Sequence, residues 1–312
     1  MGVLRASGVP EYGPGGTINY NPEVYSGKLV EKFYKTTVFG EIASTDYEGE
    51  IAGMGANVII RTVPDVTVSD YVIGQGLTPQ YPSRNSVTLS IDKAKSFNVA
   101  LSTVDSRQSD LDMADIFAND GSMQLRIAAD ADMLETIPAD VSADNSGTAA
   151  GADSGDLDLG TAASPRSVTA GTVVGLFTDM GQVLDEQSVS DEGRWAVLPP
   201  WVINLIKNSD LKIASLAGDG VSILRNGKVG EIDRFTIYQS RNVLRQVSPA
   251  VCNYVPFGHS AGLTFAAQIV ECQIIDNPND FGYLIRGLMV FGYEVIEPSY
   301  IGTAIIAKGP AT

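Results

Sequence analysis

Apolar residues between Ser109 and Pro138 recur at steps of three and four, the spacing that places side chains on one face of an α-helix. Ser109 precedes Asp112 in the spacing of a capping box, and Pro138 supplies a stop signal. The pattern predicts one helix of about 29 residues, roughly 43 Å long, with a weak point at 119–121 where glycine follows Asn-Asp. Such a helix needs a large sheet or neighbouring subunits to pack along. Its apolar positions are Leu111, Ala114, Ala118, Gly121, Leu125 and Ala128.

Strict alternation of apolar and polar residues over 86–92 predicts a β-strand. The same phase resumes at 97–101, so we expect one long strand with a bend near 93–95. The β-rich segment Asn57–Pro64 comes before it, and a turn-rich tip at 71–85 joins the two into a ribbon. One face of this ribbon is apolar and has no sequence-adjacent cover, which is a liability in a monomer. A second copy of the chain would cover it.

Other segments carry weaker patterns. Residues 1–25 are rich in glycine and proline, which predicts an arm that is disordered or ordered only against another molecule. Residues 139–166 mix Asp, Ser, Gly, Ala and Thr, which is typical of a solvated loop or insertion. The remaining predicted elements are a helix at Thr169–Gln187, a strand at Arg194–Leu198 followed by a helix, a strand-turn-strand at 223–240 with its turn at Asn226-Gly227, a helix at Gly262–Val270 and a long strand at Tyr283–Glu297.

The composition narrows the class of protein. The 312 residues are 44% apolar, enough for a sizeable core, and the net charge of -16 argues against a large basic surface for phosphates. The charge is uneven, because 13 acidic side chains but two arginines lie between Asp105 and Gly160. Two cysteines give no disulfide framework, no apolar run approaches the ~20 residues of a membrane helix, and the N-terminus lacks a signal-peptide pattern. We therefore expect a soluble protein made in a reducing cytoplasm.

No set of residues has the spacing of a catalytic or metal site. His259 is the only histidine and has no nucleophile or carboxylate at a useful spacing, so a structural role is favoured. Cys252 and Cys272 lack a CxxC motif or a second histidine and are expected to be buried small apolar residues. The acidic segment 153–160 lacks the calcium-loop pattern, and the glycines at 53–55 precede a strand instead of opening a helix. The sequence predicts no catalytic, cofactor-binding or metal-binding residue, and an acidic metal-dependent enzyme stays the less favoured alternative.

Five stretches follow one another in a distinctive order: DVTVSDYVIGQGL with VTLSIDKAKSFNVAL, VDSRQSDLDM with RIAADADML, RWAVLPPWVINLI, LRNGKVGEIDRFTIYQSRN, and FGYLIRGLMVFGYEVIEP. With the arm, the ribbon and the long helix, this order resembles the major capsid protein of tailed bacteriophages, the Hong Kong 97 fold. The resemblance covers about residues 30–306. One departure is Asp233-Arg234, where that family commonly has a glycine, and residues 139–166 match no shared pattern.

The resemblance implies an α+β, Hong Kong 97-like capsid fold. The implied parts are an N-terminal arm at 1–45, an extended loop (β-hairpin) at 46–95, a peripheral domain with the spine helix from 96–140 and 270–312, and an axial domain at 141–269. Because the arm and the ribbon would project, an isolated subunit should expose clearly more surface than the roughly 12,500 Å² of a compact monomer of this size.

The resemblance also implies self-assembly into the icosahedral head shell that encloses the double-stranded DNA genome of a tailed phage. The implied partners are copies of the chain in hexamers and pentamers, a separate scaffolding protein, a portal and, as an option, a decoration protein, with genome DNA touched only non-specifically and no membrane. The implied location is the virion capsid, after assembly in the host bacterial cytoplasm. An encapsulin-type compartment and another shell or tail component stay open as alternatives. The candidate inter-subunit contacts are Val58, Ile60, Arg61, Arg84, Val87, Leu89, Ile91 and Lys93.

Overall fold

The computed structural model does not describe every residue of the chain. The predicted arm at 1–25, the capping box at Ser109 and the turn at Asn226-Gly227 lie outside the described residues. The described residues are 34–35, 37–46, 57–62, 64, 66–71, 73–74, 76, 79–81, 86–103, 113–209, 230–278 and 280–309.

Helices and strands follow one another along the described chain. The helices are α1 (Phe39–Ile42), α2 (Met113–Thr136), α3 (Val173–Glu186) and α4 (Pro200–Asn208). The strands are β1 (Asn57–Arg61), β2 (Ser86–Ser90), β3 (Lys93–Ser102), β4 (Arg166–Val168), β5 (Arg194–Leu198), β6 (Glu231–Ile232), β7 (Phe235–Gln239), β8 (Arg245–Gln246), β9 (Cys252–His259), β10 (Leu263–Asp276), β11 (Gly282–Val295) and β12 (Ile301–Lys308). Short 3₁₀ turns lie at Ile137–Ala139, Ala143–Asn145, Ser260–Gly262 and Pro298–Tyr300.

The long helix α2 is the spine of the fold. It runs without a break through 119–121, so the predicted weak point does not interrupt it. It ends where Pro138 enters the following 3₁₀ turn, as a proline that cannot continue the hydrogen-bond ladder requires. The prediction of one long helix is confirmed over the described residues. Its buried face consists of Leu125, Ala129, Asp130, Met133 and Leu134.

Two sheets form the body of the chain. A three-stranded antiparallel sheet in the order β10-β11-β3 packs against α2. A mixed seven-stranded sheet has the order β4-β12-β9-β5-β7-β6, with β8 paired to β9. Strands β5 and β7 run parallel, whereas β9 is antiparallel to both β5 and β12. The chain leaves the seven-stranded sheet after β9 and returns to it with β12, so part of the 270–312 segment belongs to that sheet.

The ribbon predicted from alternation is shared between two sheets. Strands β1 and β2 form an antiparallel pair with Asn57 opposite Ser90. Strand β3 pairs instead with β11. Because the chain leaves the strand conformation at Ile91-Asp92, the prediction of one long bent strand is wrong. Two shorter strands in the same phase serve different sheets.

One core lies between the seven-stranded sheet and helices α3 and α4. Val173, Phe177, Met180 and Leu184 recur at helical spacing along α3 and are all fully buried, as the sequence pattern predicts. They pack with Phe257 of β9. The apolar stripe of α3 therefore fixes which of its faces meets the sheet.

A second core joins the two sheets through strand β5. All five residues of β5 are buried, and successive side chains point to opposite faces. Ala196 belongs to the first core, whereas Trp195 and Val197 pack in the second core with Met133 of α2 and Phe291 of β11. This double burial explains why the strand reads as a continuous apolar run instead of an alternation.

Two further predictions are corrected by the structure. The helix expected at Gly262–Val270 is the start of strand β10, which pairs with β11. A short run of small apolar residues does not distinguish helix from strand by periodicity, and here the long partner strand decides. The segment 139–166 is not simply solvated, because Asn145, Ala150 and Leu159 are fully buried.

Strands β6 and β7 form a hairpin at the position where the sequence departs from the capsid pattern. The turn residues Asp233 and Arg234 have φ values of 46° and 66°, in the left-handed region that two-residue hairpin turns require. The guanidinium of Arg234 donates to Asp185 at 2.9 Å and to Asp191 at 2.7 Å. These ion pairs help to stabilise a backbone conformation for which glycine is the usual choice.

The surface area agrees with the sequence expectation. The chain exposes 19223 Å², against the roughly 12,500 Å² expected of a compact monomer of this size. The expectation of a clearly larger exposed surface is confirmed.

Candidate assembly surfaces

Side chains at the base of the ribbon are buried in the chain's own fold. Ile60, Leu89 and Ile91 pack with Ala266 of β10, and Leu89 is fully buried. The sequence predicts a contact with a neighbouring copy for these three residues. The structure corrects that placement, because residues of the same chain already exclude water from them.

The other predicted contact residues are placed differently. Arg61 is exposed, and Val58 and Val87 are half-buried, so their surfaces are available to a neighbour. Lys93 is half-buried and bonded within the chain. Arg84 lies outside the described residues.

The ribbon and the loop beyond it expose large apolar side chains, which we call the ribbon surface. Val68, Ile73 and Tyr81 are 93%, 90% and 90% exposed. The Thr67 N–H donates to Oε1 of Gln80 at 3.1 Å, and Nε2 of Gln80 donates to the Thr67 carbonyl at 2.6 Å, which ties the two sides of the loop together. Several exposed apolar residues in one loop mark an interaction surface. The ribbon surface consists of Ile59, Val66, Val68, Tyr71, Ile73 and Tyr81.

A second apolar area lies at the hairpin that joins β10 to β11. Phe281 is 87% exposed, and Ile274 and Tyr283 are also exposed. Asp276 lies opposite Tyr283 in the register, so all three large side chains lie near the same end of the three-stranded sheet. This end offers a second surface for another molecule.

A charged network fixes the spine helix to the three-stranded sheet. Nζ of Lys93 donates to Oδ2 of Asp132 at 3.1 Å and to the Tyr293 hydroxyl at 2.7 Å, and it lies 4.4 Å from the Tyr293 ring centroid. Burial opposes the charge of Asp132, but hydrogen bonds from Lys93 and Tyr293 outweigh it and hold the pKa of Asp132 below its usual range. Lys95 adds an ion pair to Asp132 at 3.4 Å. The two elements are thereby joined by polar groups as well as by the apolar core.

A second polar contact joins three parts of the chain at Asp130. This side chain on α2 is fully buried. Its Oδ1 accepts the N–H groups of Val38 at 2.8 Å and Phe39 at 3.0 Å, and its Oδ2 accepts Nδ2 of Asn242 at 2.7 Å. Burial raises the pKa of Asp130 despite hydrogen bonds from Asn242, Val38 and Phe39. No spacing in the sequence indicates this contact, because its partners lie far from Asp130 along the chain.

The histidine and the two cysteines lie in different environments. Nδ1 of His259 accepts the N–H of Ala261 at 3.0 Å. Cys252 is buried as predicted, whereas Cys272 is exposed, so its predicted burial is wrong. Among the described residues, no group of three or more His, Cys, Asp or Glu side chains is placed to hold a metal ion. Within that same part of the chain, no helix is long and apolar enough to cross a membrane.

No family model and no curated protein matches the chain. A structure from Mycobacterium phage Che8 is similar, with 24% identity and a TM-score of 0.75, over 91% of this chain and 97% of that chain. The capsid of the Cyanophage P-SCSP1u is similar with 15% identity and a TM-score of 0.69, over 98% of this chain and 100% of that chain. The mature capsid of bacteriophage PhiM1 is similar with 15% identity and a TM-score of 0.64, over 94% of both chains. The chain therefore has the α+β, Hong Kong 97-like capsid fold.

Proposed function

We propose that this chain is a major capsid protein, which self-assembles into the icosahedral head shell of a tailed phage around its double-stranded DNA genome. The observation that carries the proposal is the exposed ribbon surface on a fold shared with phage capsids over nearly the whole chain. A fold by itself does not define a function. The exposed apolar loop adds a feature that a solitary protein has no use for and that another copy would cover.

In this proposal the ribbon surface lies across a neighbouring subunit. An apolar side chain as exposed as Val68 or Ile73 contributes roughly 1.5–3 kcal/mol when it becomes fully buried, before the entropic cost of association. Several such contacts per copy, closed in rings, give a stable assembly while each single contact stays weak. Val58, Arg61 and Val87 lie beside this surface and are proposed as further contact residues.

The proposal includes partners beyond copies of the chain. Hexamers and pentamers of the chain would form the shell, and a separate scaffolding protein, a portal and an optional decoration protein would take part in the host cytoplasm. A net charge of -16 suits a container that does not bind DNA tightly, because like charges keep the genome from adhering to the wall. The virion capsid is the proposed location.

The structure gives no observation in favour of the alternatives. The solved structures that match include phage capsids, and neither an encapsulin compartment nor an acidic metal-dependent enzyme has a described feature to support it. The phage head shell is therefore the one function that we propose.

The first test replaces apolar residues of the ribbon surface. We expect the wild-type chain to form closed shells or capsomer rings in electron micrographs of the expressed protein. The variant V68D/I73D should form them with a yield lower by about tenfold or more, because two charges would have to be buried at the contact.

The matched control is Met123→Asp, which places a charge at a side chain that is 40% exposed on α2, outside the ribbon. This variant should assemble as the wild type does. A wild-type chain that stays a monomer at high concentration, or equal assembly of V68D/I73D and wild type, would contradict the proposed function.

A further inference from the structure

Basic and acidic residues lie at opposite ends of the seven-stranded sheet. Strand β5 begins at Arg194 and ends before Pro199, and the parallel strand β7 begins after Arg234 and ends before Ser240. Because the two strands are parallel, their amino ends lie together and their carboxyl ends lie together. A five-residue strand separates the two ends by roughly 16 Å.

The carboxyl ends of the two strands open onto a basic cleft. It has a volume of about 510 Å³, and its walls include Arg241, Arg245 and Lys308. All three cations are exposed, and none forms an ion pair with another described residue. The indole of Trp201 forms another wall and is fixed by its N–H, which donates to Oδ1 of Asn253 at 3.0 Å.

No carboxylate stands in the chain segments that form the cleft. The segments 199–202 and 240–253 and residue Lys308 contain no Asp or Glu, although the chain as a whole carries 37 acidic side chains against 21 basic ones. Three unpaired cations around one concave surface of an acidic protein indicate a site for a negatively charged group.

The amino ends of the same strands are acidic. Asp185 at the end of α3 accepts Nη2 of Arg194 at 2.7 Å, at the start of β5. The neighbouring Glu186 accepts the N–H groups of Asp153 and Ser154 at 3.0 and 3.1 Å, which holds the acidic loop (153–160) at this end. The acidic side chains of the segments that meet here include Asp153, Asp156, Asp185, Glu186, Asp191, Glu192 and Asp233, against Arg194 and Arg234.

Three carboxylates of the acidic end remain available to another molecule. Asp153, Asp156 and Glu192 are exposed, and their side chains make no ion pair with a described residue. By contrast, a hydrogen bond from Gln182 and those from the acidic loop lower the pKa of Glu186 to about 2, so it serves to hold the loop.

We propose that the basic cleft binds the acidic end of a second copy of this chain, with Arg241, Arg245 and Lys308 receiving Asp153, Asp156 and Glu192. The two surfaces lie at opposite ends of the same strands, so each copy offers one of each. A contact between unlike surfaces is heterologous and closes into a ring when the rotation permits. The inference rests on the proposed shell function and adds which surfaces orient adjacent subunits.

The test is a charge exchange within one chain, read by the yield of rings or shells in electron micrographs. We expect R241E/R245E to lower the yield by about tenfold or more, since like charges would face each other. D156K/E192K should lower it for the same reason. The fourfold variant R241E/R245E/D156K/E192K should restore the yield to within about twofold of wild type, because the cleft then carries a net negative charge and the facing surface a net positive one.

The matched control is R126E/R286E, which makes the same change in net charge at two exposed arginines outside the cleft. It should assemble as the wild type does. R241Q/R245Q, which keeps a polar hydrogen-bonding side chain and removes the charge, should give an intermediate yield. A thermal melt of each variant separates loss of the contact from loss of the fold.

Other outcomes of these experiments would overturn the inference or the proposed function. If R241E/R245E assembles like wild type, or if the fourfold variant does not recover while the control does, the cleft does not receive the acidic end. If R241E/R245E assembles fully but loses bound nucleic acid, the cleft binds phosphates instead. A wild-type chain that forms no ring or shell would contradict the proposed function itself.

Discussion

Asp130 shows how one side chain can hold distant parts of this chain in place. It is buried, yet all its bonded neighbours are donors, namely the N–H groups of Val38 and Phe39 and the amide of Asn242. Burial alone disfavours a carboxylate, and three donors offset much of that cost. The pKa of Asp130 is raised on balance, so its ionisation lowers the stability of the fold as the pH rises through that pKa.

The variant Asn242→Asp tests this arrangement at neutral pH. We expect the free energy of unfolding to fall by about 3 kcal/mol or more, because a second carboxylate would face Oδ2 of Asp130 where a donor stood. The two carboxyl groups would share a raised pKa. The N242D fold is therefore more stable at low pH and loses stability as the pH rises through that pKa. The deficit, measured by denaturant unfolding, should therefore shrink as the solution is acidified.

Two further variants complete this test. D130N/N242D exchanges the two groups, restores a donor opposite an acceptor and should recover most of the loss. N242A removes the donor without adding a charge, so its deficit of about 1–3 kcal/mol should depend less on pH. An N242D chain no less stable than N242A at neutral pH would show that Asp130 is not ionised there.

At the scale of elements, the contact of α2 with the three-stranded sheet depends on two glycines. The Phe97 ring of β3 lies against both Gly121 of α2 and Gly287 of β11. A Cβ at either glycine would overlap the ring. The glycine in the helix therefore permits a close approach of helix and sheet, although glycine is a poor helix former.

The variant Gly121→Ala should destabilise the fold. Alanine favours the helix by about 1 kcal/mol, but overpacking against the ring costs about 1–3 kcal/mol, and we expect the second effect to dominate. Thermal unfolding of the dissociated subunit measures the balance.

The control for Gly121 lies in α3. A Cβ at Gly175 would have its nearest neighbour at 3.9 Å, so Gly175→Ala should stabilise the fold by up to about 1 kcal/mol through helix propensity. A Gly121→Ala variant that gains stability as Gly175→Ala does would contradict the packing argument.

At the scale of the whole molecule, the exposed area and the ribbon surface have one physical reading. The chain exposes 19223 Å², and in the proposed shell the burial of the apolar ribbon surface between copies would drive association. In the proposed contact, the charge separation within the seven-stranded sheet would add orientation that apolar surface alone does not supply.

Hydrogen exchange can compare the free subunit with the assembled one. Amides of β1 and β2 should exchange more slowly in the shell than in the free subunit, by about tenfold or more, because assembly limits local opening of the ribbon. Amides of β5, which is buried on both faces in the single chain, should change little. Equal protection of the ribbon in both states would contradict its proposed place between subunits.

The sequence by itself determined the elements that carry a long uninterrupted pattern. The periodicity of α3, the run of α2 to Pro138 and the existence of strand β5 all follow from local spacing and breakers. The conformation of short or ambiguous apolar runs depends on contacts with distant parts of the chain. Residues 262–270 form a strand because β11 offers a long partner edge, and strand pairing across many residues outweighs the weak local preference of small side chains.

The tertiary structure alone decided which apolar side chains stay available. Alternation predicted an apolar face, but it did not distinguish Leu89, which is buried by Ala266 of its own chain, from Val87, which stays half-buried. It likewise decided the partners of Asp130 and the separation of charge between the two ends of β5 and β7. These properties depend on residues far apart in the chain being brought together, whereas a pattern along the chain reports only which face each residue is on.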